Sequence, residues 1–191
     1  MHSPNSKTKP EADPMQQAIL FVADTLLSLL LYLFLIRLML QWARADFRNP
    51  IAQSILRLTN WLVLPLRRAL PAIGRIDTAS IVAVYAAALV QTAAVTLILA
   101  GAIPSALDWL QAALLVSIRD ALWLYFWAIF IYALASMISP GVRSPLQALL
   151  ESLCEPILGR NRRAVPAIGG LDLSPMWAGI IIQVLLILLR G

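Results

Sequence analysis

The segment RRALPAIGRID, residues 67–77, recurs as RRAVPAIGGLD, residues 162–172. The offset is 95 residues and needs no gap; it also carries Arg48 onto Arg143 and Pro50 onto Pro145. One such match arises readily by chance, but a string of them in register does not. The chain therefore reads as two tandem copies of one unit. What flanks each copy fixes the kind of unit. No charged residue occurs from Thr78 to Leu107, nor from Leu173 to Leu189. Upstream, Pro14–Ile36 carries only Asp24, and Ala121–Val142 carries no charge. Uncharged apolar runs of about 18 or more residues read as membrane-spanning helices. Each unit is thus a span, an arginine-rich segment and a second span.

Composition agrees. Of 191 residues, 60% are hydrophobic and 13% charged, with a mean hydropathy of +0.79. A soluble domain is roughly half apolar and a quarter charged, so both a soluble enzyme and a disordered chain are excluded. The expected fold is an all-α membrane protein with four spans, near residues 16–42, 78–101, 112–138 and 173–190. At about 1.5 Å of rise per residue each can cross a hydrocarbon core of roughly 30 Å, the last only just. Residues 1–15 form a polar tail rich in Pro, Ser, Asn and Lys, with the composition of disorder. The first unit covers 16–101, an outer connection 102–111, and the second unit 112–191. The first span is too long for a cleaved signal, whose apolar region is about 7–15 residues.

Charge orients the units. Arg44, Arg48, Arg57, Arg67, Arg68 and Arg75 lie in the first arginine-rich segment, and Arg143, Arg160, Arg162 and Arg163 in the second. The outer connection has no basic residue. Basic segments stay cytoplasmic, so both should face inside and both termini should face the periplasm of a bacterial inner membrane. Two spans return the chain to its starting side, so the units are like-facing, a parallel repeat about an axis along the membrane normal. Trp42, Trp109 and Trp177 sit near span ends, as interfacial tryptophans do.

Each cytoplasmic segment begins with a short amphipathic helix. Over 50–64, Ile51, Ile55, Leu58 and Leu62 fall at helical spacing, with Gln53, Arg57 and Asn60 opposite. Over 145–158, Leu146, Leu150, Leu153 and Ile157 repeat the stripe. Such a helix covers the ends of its own spans, docks a partner, or re-enters the membrane beside a pore.

Carrying residues Arg48-Asn49-Pro50, Thr59, Pro65-Leu66-Arg67-Arg68, Pro71, Gly74 and Asp77, with Pro145, Glu155-Pro156, Arg162-Arg163, Pro166, Gly169-Gly170, Asp172 and Ser174-Pro175 in the second unit, the chain resembles the YggT family. The resemblance covers nearly everything after the tail and implies a small bacterial membrane protein. It also implies links to osmotic or potassium homeostasis and, through chloroplast relatives, to haem attachment on a cytochrome. The units differ where Arg75 stands against Gly170 and Ala79-Ser80 against Ser174-Pro175.

Few residues suit chemistry. The single cysteine, Cys154, rules out an intrachain disulfide, and the single histidine, His2, lies in the tail. No metal or cofactor is expected, and the basic residues fit anionic lipid better than nucleic acid. Asp77 and Asp172 each follow a glycine turn (Gly74; Gly169-Gly170) and open a span. They read as helix caps or as a symmetric cation site. Asp24 and Arg119 are equivalent by the repeat offset and read as an intramembrane pair. The Arg67-Arg68 and Arg162-Arg163 pairs read as contacts to lipid headgroups or an acidic partner. Arg37, near the inner end of its span, is expected to snorkel to the interface. Gln91, Thr92, Thr96 and Gln183 are expected to bond between helices.

Function is expected to be non-enzymatic: a membrane adaptor or assembly factor that binds other membrane proteins. The alternative is a small-ion pathway, working as a homo-oligomer because four spans enclose little volume.

Overall fold

A computed structural model describes residues 13–70, 77–102, 104–138, 144–164 and 174–189. These residues form six α-helices: α1 Pro14–Trp42, α2 Pro50–Ala69, α3 Thr78–Ala100, α4 Ala106–Ile138, α5 Pro145–Ala164 and α6 Ser174–Leu188. Three of them, α1, α3 and α4, are long and apolar enough to cross a membrane; α6 is apolar but has 15 residues. The polar tail before residue 13 lies outside the described residues.

Local chemistry places the helix starts. Asp13 accepts from Met15 N at 3.2 Å, with Pro14 in the first turn of α1. Asn49 caps α2 through Ile51 N at 2.9 Å, and its amide donates to Pro145 O at 2.6 Å, tying the start of α2 to the start of α5. Ser144 and Gln147 form a reciprocal capping box on α5 (3.1 and 3.3 Å). Ser105 accepts from Asp108 N and donates to its carboxylate, so α4 begins at Ala106 and the outer connection is shorter than 102–111. Gly101 ends α3 in the left-handed region, φ 67°.

The helices pack as α1 on α3, α3 on α4 and α4 on α6. Helix α2 lies against α1 and α3, and α5 against α4 and α6. The contacts among α1, α2 and α3 match those among α4, α5 and α6, with two exceptions among the described residues: α3 packs on α4 but α6 does not touch α1, and α1 touches α5 but α2 does not touch α4. One core cluster joins Leu31, Phe34, Leu35, Val63, Ala83 and Ala87. A second joins Ile129, Leu150, Cys154, Leu158 and Ile182. A third, at the α2–α5 contact, joins Met39, Leu40, Ile55, Leu149 and Leu153.

Helix α2 buries a face rotated from the expected one. Its buried face is Ala52, Ile55, Thr59 and Val63, while Leu58 and Trp61 are 57% and 63% exposed. The α5 stripe holds at Leu150 and Leu153, but Leu146 is exposed.

Candidate functional site

The rotation of α2 follows from Arg37. Arg37 does not snorkel: it is 1% exposed, the largest fully buried side chain among the described residues. Its Nη1 donates to Thr59 Oγ1 at 2.7 Å and Asn60 Oδ1 at 2.9 Å, with a longer approach to Leu56 O at 3.5 Å. Thr59 Oγ1 donates to Ile55 O at 2.6 Å, which leaves its oxygen lone pairs free to accept. A guanidinium taken from water is very costly unless bonded, so α2 turns its polar pair Thr59-Asn60 inward. Leu58 is thereby turned out. Arg37 Nε stays buried without a partner. At the 95-residue offset Tyr132, Cys154 and Glu155 stand at the places of Arg37, Thr59 and Asn60, so the sequence offers this network no chemical copy.

Asp77 stands next to this network, at the start of α3. Arg67 Nη2 meets Asp77 Oδ2 at 2.6 Å and Nε reaches Oδ2 at 3.1 Å, a bidentate ion pair closing α2 onto α3. Ser80 Oγ donates to the same oxygen at 2.6 Å. Burial alone would raise the Asp77 pKa. Hydrogen bonds from Arg67 and Ser80, the Arg67 charge and the Gln41 amide outweigh it and hold the carboxyl at about 2. Asp77 occupies the N-cap position, yet its side chain caps no backbone N–H, because Arg67 and Ser80 compete better for the carboxylate. The expected cap is therefore replaced by an interhelical ion pair.

A cavity of about 260 Å³ lies between these groups and α4. Leu38, Gln41 and Trp42 of α1, Asp77 and Ile81 of α3 and Tyr125 of α4 line it. Gln41 Oε1 and Tyr125 Oη are buried without hydrogen-bond partners.

Deeper in the bundle, Gln91 Nε2 donates to Asp24 Oδ1 at 2.9 Å and Ser28 Oγ at 2.8 Å, joining α3 to α1. Arg119 pairs with its neighbour Asp120 at 3.6 Å. The expected Asp24–Arg119 pair thus does not form: Gln91 reaches Asp24 first, and the Arg119 side chain, half exposed, lies over Asp120. Thr92 and Thr96 donate within α3, to Ala88 O and Thr92 O at 2.8 and 2.7 Å. Thr92 Oγ1 also accepts from Trp109 Nε1 of α4 at 3.1 Å.

Arg67 and Arg68 are exposed at the end of α2. Arg162 and Arg163 lie in the last turn of α5, and their side chains are outside the described residues, as are Gly74, Gly169, Gly170 and Asp172. Sequence reasoning missed the Arg37 network and the inward Gln41 and Tyr125. The available signal was Arg37 itself, a lone charge between Leu29 and Leu40, with Thr59-Asn60 as the one polar break in the apolar run from Ile55 to Leu66 other than Arg57.

The family model described as CCB3/YggT matches residues 16–98 and, separately, 111–191. The chain belongs to the CCB3/YggT family. It is 39% identical over 155 residues to a Vibrio alginolyticus protein described as an uncharacterized protein in the proC 3′ region, covering 81% of this chain and 83% of the relative. It is 35% identical over 165 residues to uncharacterized protein YggT of Escherichia coli K12, covering 86% and 85%. An uncharacterized Pseudomonas aeruginosa protein is 35% identical over 178 residues, covering 90% and 87%. No solved structure matches. The YggT-family match begins within α1 and ends beyond α6, so the Arg37 network, the Arg67–Asp77 pair and the cavity all lie inside it.

Proposed function

We propose that this YggT-family chain is a non-enzymatic adaptor of the bacterial inner membrane. In this reading four spans, α1, α3, α4 and α6, form two like-facing hairpins, and α2 and α5 lie at the cytoplasmic face. The separate family matches to the two halves and the bacterial relatives support that frame. The observation that carries the adaptor role is the outer face of α2. Its inner face is held by Arg37, so Leu58, Trp61 and Leu64 remain outward, beside exposed Arg57 and Arg68. An apolar strip edged by guanidinium groups fits a membrane partner that offers apolar and acidic side chains together.

Crosslinking in native membranes followed by mass spectrometry tests it. A stoichiometric partner joined near Trp61 supports the adaptor. Leu58→Lys should lose that partner while the chain stays folded.

A small-ion pathway is the second reading, favoured by the unpartnered Gln41 Oε1 and Tyr125 Oη beside Asp77. Asp77→Asn would then abolish ion-dependent growth. Against it, a cation would have to displace a bidentate guanidinium from Asp77 and pass a cavity otherwise lined by apolar groups.

A further inference from the structure

The absence of an α6–α1 contact matching the α3–α4 contact leaves two surfaces open. In the first unit, Tyr85 and Leu89 of α3 and Ala121 and Leu124 of α4 pack on one core cluster, so the first helix of the next unit covers α3. Trp109 of α4 adds a hydrogen bond to Leu89 O at 3.1 Å. By the 95-residue offset, Tyr85, Leu89 and Thr92 correspond to Ile180, Val184 and Ile187 of α6. Nothing in the described chain covers these three, and they are about half exposed or more. With Phe126, Phe130 and Leu134 of α4 they line an open groove of about 550 Å³.

The same offset carries Ala121 and Leu124 onto Leu26 and Leu29 of α1. Both are more than half exposed, and they belong to a stripe: Met15, Ile19, Val22, Leu26 and Leu29, all more than half exposed. The stripe alternates steps of four and three residues, the heptad spacing of knobs that enter a facing helix groove. The groove side shows the same steps in Met176, Ile180, Gln183 and Ile187. Lipid tails solvate apolar side chains well, so exposure alone does not call for a partner. Complementary heptad stripes at equivalent positions do, because packing is what drives helix association in a bilayer.

We propose that the α4–α6 groove receives α1 of a second copy of this chain, so that copies associate head to tail in the plane of the membrane. The internal α3–α4 contact is the template: a unit's second apolar helix is covered by the next unit's first. Between copies, α6 takes the place of α3 and the partner's α1 takes the place of α4. The contact is heterologous, and repeated it closes a ring or extends. It rests on the like-facing arrangement of the two units, not on the adaptor role.

Depth fixes which positions meet. Gln91 bonds Asp24 and Ser28 within the first unit, and Leu186 stands at the place of Gln91. Leu26 of one copy therefore comes level with Val184 of the next, and Leu29 with Ile180. The test uses two full-length chains with different tags, one carrying Leu26→Cys and the other Val184→Cys, co-expressed and treated in native membrane vesicles with a short bismaleimide. Native Cys154 is fully buried, and burial raises its thiol to about 12, so it stays silent. A Ser28→Cys, Gln91→Cys chain, bridged within itself, reports that the fold is intact. The expected result is a joined species bearing both tags, absent when either variant is expressed alone, and lost when Val184→Cys is combined with Ile180→Trp. A species formed by Val184→Cys chains alone would mean a two-fold α6–α6 contact and would overturn the proposal. So would no mixed species in vesicles where the internal bridge forms. Failure of the like-facing arrangement itself is read separately, by labelling residues 68 and 163 from either side of the membrane.

Discussion

Replacing Thr59 by Val keeps the shape of the side chain and removes the oxygen that accepts from Arg37 at 2.7 Å. The two possible environments of Arg37 predict different costs. A neutral hydrogen bond between membrane helices is worth about 0.6 kcal/mol on average. A buried bond to a charged donor is worth about 1.5–3 kcal/mol, because the donor left behind keeps its desolvation penalty. Arg37 already has one unpartnered nitrogen, Nε, so its network has no spare acceptor. Asn60 Oδ1 at 2.9 Å retains part of the interaction, which places the expected cost of Thr59→Val near 2 kcal/mol. Arg37→Met removes the charge together with its need for acceptors, and a buried charge replaced by an apolar side chain of similar size is often close to neutral. The double variant should therefore be no less stable than Arg37→Met alone, a coupling of about 2 kcal/mol between the sites. Reversible unfolding of purified protein in mixed micelles, followed by circular dichroism across the four members of the cycle, measures it. Additive effects, or a Thr59→Val cost below about 0.5 kcal/mol, would refute the reasoning and return Arg37 to the aqueous interface.

Other expectations follow from the same contacts. Asp77, held at about 2 against an ordinary 3.8, binds a proton more readily when unfolded; its contribution is full above about pH 4 and lost as pH falls through about 2. The stability gap between the native chain and Asp77→Asn should shrink across that window. It should not exceed about 1 kcal/mol at neutral pH, because half-exposed Arg67 is screened by water. Gln91→Leu leaves the Asp24 carboxylate without its α3 donor and should cost about 1–3 kcal/mol in the same unfolding measurement; Asp24→Leu added to it should recover part of the loss. Leu58→Lys and Leu153→Lys separate surface from core. The first should leave the melting temperature within a few degrees, whereas the second, at a site 5% exposed, should prevent accumulation in the membrane.

The helix order was legible because its signals are strong. Pro50 and Pro145 open α2 and α5 as expected, and the charge-free runs that begin at Thr78 and Ala121 contain α3 and the second half of α4. The face of α2 was not, since two stripes are available to it. Ile51, Ile55, Leu58 and Leu62 are the more hydrophobic set, yet Ala52, Ile55, Thr59 and Val63 turn inward. The choice is made by Arg37, some twenty residues earlier, whose need for acceptors outweighs the burial of one leucine. The Asp24–Arg119 pair failed for a related reason. Equivalence by repeat says which positions match, not which side chains meet, and Gln91 has no polar counterpart at Leu186.

In the proposed topology both hairpins enter the membrane from the same side with their arginines in the cytosol. Labelling of Arg68→Cys and Arg163→Cys with a membrane-impermeant maleimide tests it most directly. Both thiols should be protected in intact cells and modified once the inner membrane is opened. Modification of one but not the other in intact cells would contradict the account.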